Sequence, residues 1–543
     1  MSLIYTLDSE TDPFLRGRNP QPFAWNLYDG SKHFTTWGRD CTAQILAELW
    51  RRDPGVVYVH NGGKFDVFYL LPAIDTSKDM LIIKERITQC FVKCKKGHHK
   101  LRDSLKILPF SLDTYQKTKI DYALFEADVR DAHRDEITAY LKDDCKFLYD
   151  LVIRYIQEFG ISITIGGTAI KELKKFHHTG NPLSADTDEW IRKRYYMGAR
   201  VERYKTGVFD GAWKCYDVNS MYPHVMRSMY HPIDAPTHIG KQITKDTFFV
   251  TAQGFSRGAF PIRTKEGIRF PHEENIYSVT IHEWNAAKDL GLFDAREIIE
   301  TVDFGYSNTF CDYVDHFYGL RQKATLGLIE HLKGCGDCNE SEKTFCAIGN
   351  DFRILALFYK FLLNNSYGRF AINPDNFKEY RLTDDETDLR FFGFDMAEII
   401  EGFRLLLWSK PSAEAKYNNV ATGASITGGA RSILMRGLHS AVEPIYCDTD
   451  SLICRDFKGE VDASQLGAWK LEKTGNRVAI AGRKMYALFQ DEKCLKYASK
   501  GVRIAPEDVE RIAQGEEVTY LRDAPTYRLN GSVDWLKRTV RIR

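Results

Sequence analysis

The stretch Tyr446-Cys447-Asp448-Thr449-Asp450-Ser451-Leu452 constrains this 543-residue chain more than any other. Two carboxylates two residues apart stand between apolar runs, 441–445 before and 452–453 after, and both runs read as strand. Side chains alternate along a strand, so Asp448 and Asp450 emerge on one face unless the tight turn of a hairpin falls between them. Either way the carboxylates crowd together. Like charges that close repel, and a hard divalent cation, which prefers carboxylate oxygen, resolves the repulsion. An isolated Asp-x-Asp reads more simply as the Asp-rich turn of a hairpin. Two further stretches shift the balance.

The first is Lys214-Cys215-Tyr216-Asp217-Val218-Asn219-Ser220-Met221-Tyr222-Pro223, an acid at the end of a strand-like segment followed by a Pro-stopped turn. The second is the helical run 351–367, in which Arg353, Lys360 and Tyr367 recur every seven residues and share a face. Two acidic strands with a helix carrying cation and aromatic make a site for a nucleoside triphosphate. Metals grip phosphates, Lys neutralises them, and the aromatic stacks on the base.

The three stretches resemble motifs A, B and C of family-B DNA polymerases: Asp217-x-x-Ser220-x-Tyr222-Pro223, Lys360-x-x-x-Asn364-x-x-Tyr367-Gly368 and Tyr446-x-Asp448-Thr449-Asp450-Ser451. They are most similar to the protein-primed branch, encoded by phages whose linear genomes carry a terminal protein, and within it to the tectivirus type. The resemblance implies that Asp217 and Asp450, with the backbone at Val218, hold two Mg²⁺ or Mn²⁺ ions, and that Asp448 supports the cluster. It implies that Val218 to Ser220 carry the triphosphate, that Arg321 and Lys360 face it, and that Asn364 and Tyr367 line the nucleotide site. Tyr222 would lie under the incoming sugar and collide with a 2′-hydroxyl, giving preference for dNTPs. Asn365 stands where the family usually has Ser, and Ser366 follows.

In the N-terminal third, strand 3–7 delivers Asp8-Ser9-Glu10, strand 56–60 runs into Asn61-Gly62-Gly63-Lys64-Phe65-Asp66, and helix 136–151 carries Tyr140 and Asp144 one turn apart. Asp8, Glu10, Asp66 and Asp144 could hold two ions about 4 Å apart for phosphodiester hydrolysis. Taken singly, each reads as a solvated acid or a helix cap. Together they resemble the three exonuclease motifs of proofreading polymerases. That resemblance assigns the four acids to metals, Tyr140 to orienting the attacking water, and Asn61, Phe65, Ser104 and Leu105 to the frayed strand. Ser9 is not a ligand in it, and the four-residue spacing from Tyr140 selects Asp144 over Asp143.

Further elements follow the same resemblance. Tyr196-Met197-Gly198-Ala199, in a basic and aromatic stretch over 159–207, matches a template-contacting Tyr-x-Gly-Gly/Ala element. Thr427-Gly428-Gly429-Ala430-Arg431 matches a primer-strand element, represented by Thr427 and Arg431. Lys484-Met485-Tyr486 matches the Lys-x-Tyr that binds the primer terminus. The implied fold class is multidomain α/β and α+β. A ribonuclease-H-like 3′-5′ exonuclease domain (1–158) precedes a right-hand polymerase: palm (159–260 and 417–487), fingers (307–367) and a small basic thumb (488–543). Two insertions, 261–306 and 373–416, would dock the terminal protein and give strand displacement.

Net charge is +1, so DNA contact must use local basic patches. Twelve cysteines without a regular framework suit a reducing compartment. No window approaches the ~18 apolar residues of a membrane span, and the N-terminus lacks the build of a signal peptide. These features suggest a soluble cytosolic protein, and the resemblance implies the cytoplasm of a bacterial host, for a protein encoded by a phage or mobile element. Two Cys/His groups have the ingredients of zinc sites. Cys90, Cys94, His98 and His99 read better as packed residues, and His331, Cys335, Cys338 and Cys346 as a flexible polar fingertip, so zinc is not expected at either. Expected partners are template and primer DNA, dNTPs, the terminal protein in a heterodimer with an otherwise monomeric chain, and single-stranded DNA-binding protein. A family-B enzyme using ordinary primers would carry the same motifs. A non-catalytic DNA-binding relative is disfavoured, because no proposed metal carboxylate is replaced.

Overall fold

The computed structural model describes residues 2–112, 119–339, 345–373, 376, 378–400, 404–411, 419–522, 525–529 and 532–541. Parts of the expected second insertion, and residues 523, 524, 530, 531, 542 and 543 of the expected thumb, lie outside these.

Strand Leu3–Thr11 is buried along nearly its whole length, as expected of a central strand with both faces covered. It pairs in parallel with Gly55–Val59, which pairs in parallel with Gly97–Asp103. Antiparallel strands extend both sides into a ten-stranded sheet. Helix Arg134–Phe159 crosses it, burying Ile137, Leu141, Leu148, Leu151 and Tyr155 at helical spacing.

The outer three strands of that sheet, Lys378–Asp384, Asp395–Ile400 and Leu405–Pro411, come from the expected second insertion. Tyr380 and Arg381 pair with Met80 and Asp79, and Leu382, Ile400 and Leu407 enter the core beneath the N-terminal sheet. The described part of 373–416 is therefore built onto the N-terminal domain. Tyr527, far along the chain, joins the same core. The C-terminal residues are thus not one separate thumb: helix Pro506–Ala513 packs on the palm, while Tyr527 docks on the N-terminal domain.

The palm is a seven-stranded antiparallel sheet in the order Lys493–Ser499, Met485–Gln490, Trp469–Gly482, Gly207–Val218, Ser451–Cys454, Tyr446–Asp448, Val201–Arg203. Two long helices, Cys311–Gly334 and Ala347–Ser366, pack antiparallel as the fingers. One core runs from Leu148 and Tyr155 through Phe317 and Phe358 to Ile426 and Leu452, so the three regions share packing.

A four-stranded sheet, in the order His231–Gly240, Phe293–Asn308, Thr247–Arg257 and His272–Thr280, draws two of its strands largely from the interval 261–306. Residues 247–257 pair on both sides with strands from that interval. The expected boundary at 260/261 therefore falls inside one hydrogen-bonded unit that begins at His231.

Candidate active sites

Strand Gly207–Val218 and hairpin Tyr446–Asp448/Ser451–Cys454 meet with Ser451 opposite Asp217. Register alone brings the carboxylates of two distant stretches together. Thr449 adopts φ +60° and the Asp450 N–H donates to the Asp448 carbonyl at 2.7 Å, so the turn of the hairpin does fall between the paired acids. The Val218 N–H donates to the Asp450 carbonyl at 2.8 Å, locking the two strand ends. Burial, and then the nearby Asp217, push the Asp450 carboxyl up to about 6. Burial also raises Asp217, against the opposing pull of Lys470, whose Nζ lies 3.1 Å from Asp217 Oδ2.

Asp448 is held differently. Lys484 Nζ approaches its Oδ1 at 2.5 Å, the Thr449 hydroxyl donates to the same oxygen at 2.9 Å, and the Tyr446 hydroxyl donates to Oδ2 at 3.3 Å. Asp217 and Asp450 form the open pair, and Asp448 anchors Lys484. Tyr486 is only 6 % exposed and its ring lies 5.0 Å from that of Tyr446, so it supports the hairpin from the core. That corrects its expected place on the primer.

On the fingers side, Tyr222 and Tyr367 stack at 3.9 Å with an 11° interplanar angle, both within electrostatic reach of Asp450. Arg321 donates to the Ser220 hydroxyl at 3.1 Å, which ties the first fingers helix to the αL turn at Ser220. Burial, followed by the charges of Arg321 and Lys470, lowers the Lys360 ammonium, so these three cations converge near Asp217. Asn364 is exposed, while Asn365 and Ser366 bond back to the carbonyls of Phe361 and Leu363. Arg353 lies over the Phe345 ring at 4.6 Å, towards the start of its helix.

The Thr427–Arg431 element does not face a groove. Helix Val420–Ser440 is buried along most of its length, and Arg431 is 2 % exposed. Its guanidinium clasps Glu283 at 2.7 and 2.9 Å and donates to the Met197 and Gly198 carbonyls at 2.5 and 2.8 Å. Thr427, also buried, donates to the Ala424 carbonyl. A Cβ on Gly428 would stand 2.2 Å from Thr280 Oγ1, so the glycine serves helix packing. Both expected primer contacts, Thr427 and Arg431, are thus internal. Arg431 instead holds Tyr196-Met197-Gly198-Ala199 in place, helped by Arg263, which donates to the Tyr196 carbonyl at 2.8 Å. The Thr449 N–H donates to the Arg200 carbonyl, linking that segment to the hairpin of Asp448 and Asp450. Much of the basic stretch over 159–207 is neutralised internally as well, with Arg192 on Asp188, Arg194 on Glu300 and Arg200 on Glu202.

The second carboxylate cluster lies in the N-terminal domain. Asp8 and Glu10 alternate onto one face of the first strand, Asp66 opens helix Asp66–Tyr69, and Asp144 comes from helix Arg134–Phe159. Burial pushes Asp66 up to about 6, opposed by the Ser9 hydroxyl, which donates to Asp66 Oδ1 at 2.5 Å. Burial and then Asp144 raise Tyr140, and Glu10 acts in the same direction, so Tyr140 lies among these acids. Its hydroxyl is 3.3 Å from that of Tyr122. Asp144 is buried, whereas Asp143 acts on His33, on another side of the helix. Asn61 adopts φ +59° and its Oδ1 accepts from Arg86 at 2.7 Å. Ser104 is buried and engages His60 and the Val59 carbonyl, and the Leu105 N–H donates to Oδ1 of the N-cap Asp103. Phe65 packs edge-on against Tyr527 at 5.2 Å.

Ser9, Lys470 and Glu283 escaped sequence reasoning. Ser9 gave no local signal, since alternation puts it on the face opposite Asp8 and Glu10; Lys470 and Glu283 meet their partners only through segments distant in the chain. Cys90, Cys94 and His99 are buried, with His99 bonded to the Leu49 carbonyl at 2.8 Å and His98 to Asp75 at 2.6 Å, as packed residues.

The organellar and viral type B DNA polymerase family profile matches residues 114–406. The chain is 39% identical to the DNA-directed DNA polymerase of Enterobacteria phage PRD1, over 99% of this chain and 98% of that one. It is 26% identical to the DNA polymerase of Bacillus phage phi29, over 76% and 71%. The phi29 DNA polymerase structure with primer-template DNA superimposes over both full chains with a TM-score of 0.71 at 19% identity, a likeness of fold. Enzymes of this kind use divalent metal ions. The half-buried carboxylate pair Asp217/Asp450, in which burial first and then the Asp217 charge raise Asp450, suits them. This chain belongs to the organellar and viral type B DNA polymerases, and it is a DNA-directed DNA polymerase.

Proposed function

We propose that the chain copies a linear genome from a terminal-protein primer and proofreads its product, using Mg²⁺ or Mn²⁺ at both carboxylate sites. The observation carrying the reading is the pairing of Ser451 with Asp217, which joins Asp217 and Asp450 beside the Tyr222–Tyr367 stack. Asp217, Asp450 and the Val218 backbone would hold the metal, which would supply activation of the attacking oxygen and charge stabilisation on the phosphates.

The chain's own groups do the rest. Lys360 and Arg321 neutralise the triphosphate, and Ser220 is held ready by Arg321. The Tyr222 ring, fixed by its stack on Tyr367, leaves no room for a 2′-hydroxyl. Asp448 orients Lys484 toward the primer end. During initiation the attacking hydroxyl is a Ser, Thr or Tyr of the terminal protein; afterwards it is the DNA 3′-hydroxyl. In the editing site Asp8, Glu10, Asp66 and Asp144 hold the ions and Tyr140 orients the water. Asn61, Phe65 and Leu105 border the frayed end. Resemblance of the Lys484–Tyr486 element and of the two strand-rich intervals to the protein-primed branch supports terminal-protein priming. The setting is a bacterial host's cytoplasm, with single-stranded DNA-binding protein on the displaced strand and the enzyme as a monomer or a heterodimer with its primer protein.

The test is incubation with labelled dNTPs, divalent metal, template ends and a candidate terminal protein. Label should become covalently attached to protein, and Asp450→Ala should abolish it. Label found only on added oligonucleotides would leave the polymerase and remove protein priming.

A further inference from the structure

The two fingers helices meet at their tip in a way the polymerase reaction does not require. His331 lies in the last turn of Cys311–Gly334, Cys335 is its C-cap, Cys338 follows in the turn, and Cys346 is the N-cap of Ala347–Ser366. Their ligating atoms all lie within 4.8 Å of one another. Cys335 Sγ and Cys346 Sγ are 3.8 Å apart, well beyond a disulfide bond of about 2.05 Å. That distance matches the edge of a tetrahedron with Zn–S bonds of about 2.3 Å. His331 Nε2 is 3.0 Å from Cys346 Sγ.

The surroundings suit thiolates. The Cys346 N–H donates to Cys338 Sγ at 3.3 Å, and the Gly349 N–H donates to Cys346 Sγ at 3.5 Å, at a helix N-terminus where the peptide dipoles favour negative charge. A Cβ on Gly349 would lie 3.0 Å from Cys338 Sγ and 3.5 Å from the His331 ring, so glycine allows both ligands to close on the helix. The Cys90/Cys94 group provides the contrast: its histidines are spent on Leu49 and Asp75.

We propose that His331, Cys335, Cys338 and Cys346 bind one structural zinc ion that staples the fingers hairpin at its tip. Three sulfurs and one imidazole nitrogen in tetrahedral reach, with no further protein donor needed, are the ligand set of closed zinc sites. The flexible polar tip expected from sequence is replaced by a crosslink. It joins the helix carrying Arg321 to the helix carrying Lys360, so the two cations would swing onto the triphosphate as one body.

The experiment is metal analysis of the full-length, untagged protein purified without chelator. About one zinc per chain is expected, retained in Cys494→Ser and lost in the Cys335→Ser/Cys338→Ser double variant. Replacement by Co²⁺ should give the visible bands of a tetrahedral thiolate site in the wild-type protein, a readout that survives even if the double variant fails to fold. If it folds, it should show a several-fold higher KM for dNTP, with primer-template binding unchanged. Zinc well below one equivalent in protein that still copies DNA, zinc content unaffected by the double substitution, a Cys335–Cys346 disulfide, or an iron–sulfur chromophore would each overturn the assignment.

Discussion

The two carboxylate sites are built from similar parts and balanced differently. In the palm, burial raises Asp450 while lysines meet its neighbours, Lys470 on Asp217 and Lys484 on Asp448. In the N-terminal domain, burial raises Asp66 to a similar value, and a serine hydroxyl opposes the shift. Lysines beside the palm acids stabilise their charged forms directly. A hydroxyl adds no charge, so at Asp66 hydrogen bonding rather than an ion pair opposes the burial. The lesson is that one motif chemistry, paired acids, acquires its working state from the neighbours that the fold supplies.

Reciprocal knockouts should split the sites most strongly. Asp450→Ala should lower DNA synthesis by about a thousandfold or more, with 3′-5′ degradation of single strands retained; Asp66→Ala should do the reverse. Primer extension and degradation assays on both variants check this. Loss of both activities in either variant would break the picture of two independent sites.

Breaking the Arg431 clasp comes next, because it leaves the buried Glu283 carboxylate without its partner. Arg431→Met should cost about 3–5 kcal/mol of stability, read as a lowered denaturation midpoint. A primer-contact role would instead leave stability unchanged and weaken primer binding.

The acidities predict opposite effects of pH on stability and activity. Asp450 and Asp66 sit at about 6 in the fold against an ordinary 3.8. Between those values the folded chain holds more protons than the unfolded one, so these groups make stability fall as pH rises through the window. Their cost is fully present above about 6 and vanishes below about 4. In chelator, Asp450→Asn should therefore melt above wild type at neutral pH, and the gap should close as the pH falls to about 4. The metal concentration needed for half-maximal synthesis should instead rise as the pH drops through about 6, where the metal-free Asp450 takes up its proton.

The smallest effect sharpens the contrast. Ser9→Ala should raise the metal concentration needed for half-maximal 3′-5′ degradation by about tenfold, leaving synthesis untouched. A titration with Mg²⁺ measures both.

Much of the site chemistry was legible locally. The alternation of Asp8 and Glu10, the seven-residue recurrence of Lys360 and Tyr367, and the turn between Asp448 and Asp450 depend on near neighbours and carry into the structure. The Thr427–Arg431 element misled because a basic residue beside two glycines reads equally as a phosphate cradle or as a tight helix crossing. Only Thr280 and Glu283, some 150 residues away, distinguish them.

The sequence by itself determined the acids, cations and aromatics and the local periodicity that aims them, because side-chain direction follows from backbone repeat. Tertiary structure alone decided that Ser451 faces Asp217, that Lys470 reaches that acid, that 378–411 extends the N-terminal sheet, and that a histidine and three cysteines converge at the fingertip. Strand register and helix crossing are set by the summed packing of distant segments, and no local pattern encodes that sum.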